Sequence, residues 1–222
     1  LFFLGIDLAW KIKPIASSPA VVLNEEGILC SIASPKTNAE ILELVGRYKG
    51  CILGIDAPLI VNNISGSREC DLIMVRKYGI PLYQANRTWL MRKYGGIRGE
   101  DLSLQLVSLG FSIGPDFKKA QETRAVLEVY PHASLRILLG RVPRYKSGSA
   151  QKRKEALREI TDSLRQLKPP LDLRPIKQII NADLLDAAVA AHTAYIHWSF
   201  PDKTTVVGDA RNGFIIIPRP SC

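Results

Sequence analysis

Two short apolar runs end on an aspartate, and this repeated ending constrains the chain more than any other feature. Residues Phe2–Ile6 read FFLGI and lead into Asp7; residues Cys51–Ile55 read CILGI and lead into Asp56. Runs this short and this apolar fit strands buried on both faces, the kind found inside a parallel sheet. A carboxylate at the mouth of such a strand is costly to desolvate unless it is paired or holds a cation. Laid side by side and parallel, the two strands would bring Asp7 and Asp56 together.

The rest of a sheet surrounds these runs. Lys11–Pro19 is turn-rich, with Pro14 and Pro19. Ala20–Leu23 and Ile28–Ala33 flank the turn Asn24-Glu25-Glu26-Gly27, and strands joined so tightly pair antiparallel. Thr37 with Glu40 has the spacing of a capping box. The helix it opens has Ile41, Leu42, Leu44 and Val45 on its apolar face and ends at Gly46 or Gly50. A strand returning after one crossover lies parallel beside an earlier strand, which places Cys51–Asp56 next to the first. Past Pro58, residues 57–120 are rich in Gly and Pro and are expected to be irregular, with helical pieces at Arg68–Lys77 and Leu102–Leu109. Ala125–Tyr130 reads as a strand carrying Glu128, Ser134–Leu139 as a helix, and Arg141–Ala150 as a basic loop. Gln151–Leu167 and Asn181–Trp198 read as long helices, and Thr204–Val207 with Phe214–Ile217 as a closing hairpin. The fold class is therefore α/β: a mixed sheet flanked by helices, opening with an antiparallel meander and a parallel return. One domain over 1–222 is expected, with an insertion at 60–120 and the C-terminal hairpin.

Composition sets the context. A hydrophobic share of 46% in 222 residues fits a globular protein. No apolar run approaches the roughly 18 residues of a membrane span, and the first run lacks the basic flank of a secretory signal. Cys30, Cys51, Cys70 and Cys222 are far apart with no CxxC spacing. Free thiols in a reducing compartment, and so a cytoplasmic location, are the expectation. The net charge of +9 suits a polyanionic partner, nucleic acid first, although solubility alone also accounts for it.

The last long helix begins Asn181-Ala182-Asp183-Leu184-Leu185-Asp186. Asn181 is a natural N-cap, and Asp183 and Asp186, three apart, share one face. The residues that follow are small or apolar almost all round, so the helix is expected to be buried against the sheet. Asp183 has a further rationale, favourable interaction with the helix N-terminus. If Asp7, Asp56, Asp183 and Asp186 converge, they cannot all stay ionised without a cation. Hard oxygen donors suit Mg²⁺ or Mn²⁺. A pair of such ions can clamp the attacking water and the leaving oxygen of a phosphodiester.

Taken together, GIDLAW, GIDAPL, the segment Gly66-Ser-Arg68-Glu-Cys-Asp71, EVYPHAS and DLLDAAVAAHTAY resemble the domain-of-unknown-function family four-two-nine, predicted nucleases of ribonuclease H-like fold. The stretch from Asp183 to Ala190 also resembles the last catalytic helix of Holliday-junction resolvases. The resemblance covers most of the chain. It implies a ribonuclease H-like mixed sheet of five strands in the order 3-2-1-4-5, strand 2 antiparallel, and a nuclease in which Asp7 bridges two metal ions. Asp56 and Asp186 would complete the core, and Asp183 would be a fourth ligand. One departure falls in the closing hairpin, where Asn212 stands in place of the acidic residue expected before the last glycine.

Other residues carry two readings each. Glu128 either holds a metal or orients water, or it pairs with an arginine. His132 either shuttles a proton near neutral pH or is structural, and His192 reads as a core histidine. Arg68 is a candidate anion clamp. Residues 84–98 interleave Arg87, Arg92, Lys93 and Arg98 with Trp89 and Tyr94, either to bind phosphates and stack bases or to form a small core of their own. Arg141, Arg144, Lys146 and Lys152–Lys154 form the densest basic run and either track a nucleic-acid backbone or face solvent.

Three classes of function follow. The first is a metal-dependent nuclease acting on DNA or RNA, with a smaller phosphate ester as a variant substrate. The second is a non-catalytic module binding nucleic acid or protein. The third is an actin-like ATP-dependent phosphotransferase. Leu8-Ala9-Trp10 after Asp7 and Ala57-Pro58-Leu59 after Asp56 offer that last class no glycine to cradle a phosphate.

Overall fold

The computed structural model describes residues 1–12, 16–176 and 180–220. Pro14 of the turn-rich segment and Cys222 lie outside the described residues. In chain order the elements are β1 (Phe2–Ile6), β2 (Ala20–Leu23), β3 (Leu29–Ala33), α1 (Asn38–Gly46) and β4 (Cys51–Ile55). Next come α2 (Glu69–Tyr78), α3 (Arg87–Tyr94), α4 (Arg98–Ser108), β5 (Ser112–Ile113) and β6 (Arg124–Glu128). The chain closes with α5 (Pro131–Leu139), α6 (Ala150–Leu164), α7 (Ala182–Ser199), β7 (Thr204–Asp209) and β8 (Gly213–Pro218).

The main sheet has six strands in the order β3-β2-β1-β4-β6-β5. Strand β2 is antiparallel to β1 and β3, whereas β1, β4, β6 and β5 run parallel. The expected five strands and their order are present, and β5 adds a sixth on the outer edge. Its two residues are too few to show either alternation or an apolar run, which is why sequence periodicity passes over it. Strands β7 and β8 form a separate hairpin, joined to the end of β6 by a bridge between Val129 and Ile216.

Helices cover both faces of the sheet. On one side Phe3, Ile52 and Leu127 pack with α7 and with Ile160 and Leu164 of α6. On the other, Leu4, Ile6, Leu53 and Ile55 pack with Ile41 and Val45 of α1 and Leu102 and Leu106 of α4. Alternate residues of β1 thus enter different layers, as the pleat requires.

The repeated Gly-Ile-Asp ending has a packing explanation. Gly5 and Gly54 are register partners in the β1–β4 ladder. A Cβ on Gly5 would lie 1.9 Å from the Ala187 carbonyl oxygen and 2.2 Å from the Ala191 nitrogen of α7; one on Gly54 would lie 2.4 Å from the Ala190 carbonyl oxygen. The glycines let the backbone of α7 rest directly on two strands. The alanines of α7 permit the same approach from the helix side.

Residues 57–120 are more regular than expected, since α2, α3 and α4 all lie there. Most of the aromatic and basic run is α3, capped by the Asn86 side chain, which accepts from Trp89 N, and closed by Gly95 at φ 81°. Only Leu90 of this helix is buried, so no apolar stripe announces it. Helix α5 starts at Pro131 itself, with proline in the first turn where its missing N–H costs nothing. Among the described residues no helix is long and apolar enough to cross a membrane. Cys30, Cys51 and Cys70 are free.

Candidate active site

Three carboxylates meet where β1, β4 and α7 come together. Asp7 and Asp56 each follow a strand by one residue, and the Asp56 amide donates to the Ile6 carbonyl at 2.9 Å. The third comes from α7, whose first turn is capped by Asn181: its side-chain oxygen accepts from Leu184 N at 2.8 Å. Asp186 lies in the second turn and is fully buried. Its Oδ1 accepts from the Tyr145 hydroxyl at 2.8 Å. Its Oδ2 is buried, receives no hydrogen bond of regular geometry among the described residues, and faces the ammonium of Lys146 as an ion pair. Asp183, one turn earlier, is exposed at the rim.

A cavity of about 430 Å³ opens here, with Asp7, Asp56, Asp183 and Lys146 among its lining residues and Trp10, Tyr83, Tyr94, Tyr130 and His132 on its walls. Burial, followed by the charge of Asp186, pushes the Asp7 carboxyl up to about 7; Asp183 adds to the rise and Lys146 opposes it. Asp56 is held well above the usual carboxylate range by burial and then by Asp7 and Asp186. Burial also raises Asp186, against the close ammonium of Lys146 and the hydrogen bond from Tyr145. Lys146 stays above its ordinary range although burial opposes it, because Asp186, Asp56 and Asp7 favour its charge. Burial and the nearby charges of Lys146 and Arg136 lower His132, so its ring is neutral near neutral pH. Lys146 therefore offsets part of the charge of a carboxylate cluster whose burial and mutual repulsion disfavour ionisation.

Glu128 and Arg68 satisfy each other instead of serving as a metal ligand and an anion clamp. Arg68 Nη2 lies 2.6 Å from Glu128 Oε1 and 2.8 Å from Asp71 Oδ1. Its Nη1 donates to Glu128 Oε2 at 2.8 Å and to the Ile60 carbonyl at 3.2 Å, and its Nε donates to Asp71 Oδ2 at 3.2 Å. With the five N–H donors of the guanidinium so engaged, none is left for a phosphate. Glu128 Oε2 also accepts from Leu59 N at 2.9 Å, fixing the loop after Asp56.

The remaining expectations divide. Lys146 is at the site, but on Asp186. Arg87 spends its charge on Glu100, 2.7 Å away. Lys93 lies over the rings of Trp89 at 4.5 Å and Tyr83 at 4.7 Å and does not line the cavity. Arg144 is exposed and lines neither this cavity nor the groove beside it. Trp89 and Tyr94 pack on a small core of Val61, Ala85, Leu90 and Ile97, the alternative reading of that run. His192 is buried, with Nε2 donating to the Pro169 carbonyl at 3.2 Å, and burial pushes it down to about 4. Asn212 sits in the exposed turn of the hairpin, where its amide donates to Asp209 Oδ1 at 2.8 Å.

Among the described residues no three of His, Cys, Asp or Glu are arranged as a ready-made metal cage. The donor set is nevertheless of the kind that suits a hard divalent cation: Asp7, Asp56 and Asp186 offer carboxylate oxygens whose crowding calls for positive charge, and Asp186 Oδ2 is a buried acceptor without a regular hydrogen bond. Sequence reasoning missed Tyr145, which orients Asp186, and Tyr83 and Tyr130 on the walls. Tyr145 stands beside Lys146 in the basic run and Tyr130 within EVYPHAS, so both could have been flagged by their neighbours; nothing in sequence marked Tyr83.

Fold and site define an α/β protein with a parallel-strand core that delivers carboxylates to a single cavity. Residues 5–210 match the family described as protein of unknown function (DUF429), and the chain belongs to that family. No curated protein matches the chain.

Proposed function

We propose that this chain is a divalent-metal-dependent nuclease of ribonuclease H-like fold that hydrolyses phosphodiester bonds of DNA or RNA. The strand order and the placement of Asp7 at the end of the first strand support the fold assignment. The observation that carries the chemistry is geometric: Asp7 and Asp56 leave register-paired parallel strands into one cavity that Asp183 also lines, beside the buried Asp186, a crowding that pushes Asp7, Asp56 and Asp186 upward. Strongly perturbed carboxylates in a cleft mark functional sites.

Asp7, Asp56 and Asp186 would hold Mg²⁺ or Mn²⁺, with Asp183 available at the rim. A bound ion supplies charge for a phosphoryl oxygen and lowers the pKa of its water. Tyr145, donating to Asp186 Oδ1, fixes the orientation of that carboxylate. Lys146, released from Asp186, places an ammonium where a phosphate would enter. The neutral ring of His132 on the wall can accept a proton or pass one on. The Arg68–Glu128–Asp71 network holds the loop after Asp56 and so positions that carboxylate. Free thiols accord with a cytoplasmic setting.

The test is calorimetric titration of Mn²⁺ into wild type, Asp7→Asn and Asp186→Asn, with cleavage of labelled DNA and RNA measured alongside. Binding and cleavage in wild type that vanish in both variants support the reading; cleavage that survives Asp7→Asn refutes it. A second reading, a non-catalytic nucleic-acid- or protein-binding module, draws on Lys146, which already neutralises Asp186. It predicts binding without metal and without turnover.

A further inference from the structure

The charge of this chain is unevenly placed. Residues 141–174 hold ten of its thirty Lys and Arg against four Asp and Glu, a net +6 of the total +9. This segment begins with the loop that brings Lys146 to the carboxylates and continues as α6. A groove of about 830 Å³ lies between α6 and the start of α7. One face of α6 lines it, with Leu157 among apolar residues and Arg153, Lys154 and Arg158 among basic ones. These three cations are exposed. Arg165 and Arg174, also in the groove, are occupied by Asp162 and Asp172. Among the described residues Lys154 and Arg158 have no carboxylate partner.

Two further observations say what the groove accommodates. Lys146 and Asp183 line both the groove and the carboxylate cavity, so the basic track runs into the site. On the cavity wall, Tyr83 is 65% exposed and stacked on Trp89 with centroids 5.7 Å apart. The cavity, at about 430 Å³, has the volume of a small-molecule site. A positive groove that leads to exposed aromatic faces is the combination that binds unpaired strands.

We infer that the groove along α6 is the track of a single-stranded polynucleotide. Its backbone phosphates pair with Lys154 and Arg158, and its leading nucleotide enters the carboxylate cavity with the base against Tyr83. What happens at the end of the track rests on the proposed nuclease reading; binding along it does not.

The test uses the full chain in EDTA, with fluorescence anisotropy of a labelled oligothymidylate of about 20 nucleotides, longer than one such groove needs. The single strand is expected to bind at least about tenfold more tightly than the same strand annealed to its complement, a difference of about 1.4 kcal/mol. The double variant Lys154→Gln/Arg158→Gln is expected to lower the log–log salt slope by about 1.4, two phosphate contacts at about 0.7 each. Arg76→Gln/Lys77→Gln, on the exposed side of α2, removes the same charge and should leave the slope unchanged; thermal melts check that both variants are folded. Duplex binding as tight as single strand, an unaltered slope in the groove variant, or an equal change in the α2 variant each overturns the inference. Polyglutamate bound with the same dependence on Lys154 and Arg158 also overturns it, in favour of an acidic protein partner. Turnover of bis(p-nitrophenyl) phosphate by the wild-type protein with Mn²⁺ reports separately on the chemistry. Turnover without groove-dependent binding overturns the track and keeps the nuclease; groove-dependent binding without turnover keeps the track and overturns the nuclease.

Discussion

Replacing Gly5 with alanine tests whether helix-on-strand backbone contact builds the site. The added Cβ would lie 1.9 Å from the Ala187 carbonyl oxygen, where ordinary contact begins near 3.4 Å. Both obstacles, that oxygen and the Ala191 nitrogen, are backbone, so no flexible side chain can turn aside. Helix α7 must withdraw from β1 by about 1.5 Å, the difference between those two distances. A gap of about 0.5–1 Å already forfeits a quarter to a half of each dispersion contact, and overpacking a core typically costs about 1–3 kcal/mol. The expected loss is at the upper end, about 3 kcal/mol, read as a lower urea midpoint at unchanged slope. Asp186, adjacent to Ala187, moves with the helix, so Mn²⁺ affinity should fall in the same variant. Gly46→Ala is the counterpart: nothing lies within 4 Å of its Cβ position, and the same substitution there should stabilise by about 0.5 kcal/mol through reduced chain entropy. A Gly5→Ala cost below about 1 kcal/mol would refute the argument, because overpacking against fixed backbone cannot be that mild.

Further outcomes follow from the charges. Asp7 titrates near 7 when folded against an ordinary 3.8, so between those values the folded protein keeps a proton the unfolded chain has lost. That contribution to stability is complete below pH 3.8 and is lost as pH rises through about 7, with Asp56 and Asp186 acting in the same direction. Urea midpoints of the metal-free protein should therefore fall from about pH 5 to about pH 8, and Mn²⁺ should abolish the fall; a midpoint that rises without metal contradicts the cluster. Arg68→Met should cost about 3–5 kcal/mol, because it leaves Glu128 and Asp71 buried without a counter-charge, and adding Glu128→Leu should recover part of the loss. If Arg68 were a phosphate clamp, substrate affinity would drop while the melting temperature held. Lys146→Gln should tighten Mn²⁺ binding by about tenfold, since the ion no longer competes with an ammonium for Asp186; unchanged affinity by calorimetry would mean that the two do not share the site.

Much of this architecture is legible in the sequence. The capping box at Thr37 and the alanine-rich helix after Asn181 follow from neighbours a few residues away, which capping and periodicity encode directly. The antiparallel second strand, the order of the first four strands and the adjacency of Asp7 and Asp56 follow from the tight turn and the single crossover that join those strands. The two-residue β5 and the polar helix α3 escaped because they carry too few apolar residues to register. The roles of Glu128 and Arg68 escaped for another reason. They are 60 residues apart, and whether a carboxylate meets a metal or an arginine depends on which groups the folded chain places beside it.

The sequence alone determined that glycine, isoleucine and aspartate recur at two strand ends, because glycine is the one residue that leaves room for a helix backbone and aspartate the shortest acid to follow it. It also determined that the net charge collects in residues 141–174. Only the tertiary structure decided that Lys146 from that segment would neutralise Asp186. Only it joined the basic groove to the carboxylate cavity, and only it spent every donor of Arg68 on Glu128, Asp71 and the Ile60 carbonyl. The physical reason is range. Propensity and capping act over a few residues, whereas the choice of counter-ion for a buried charge depends on low-dielectric contacts that exist only once distant segments have packed.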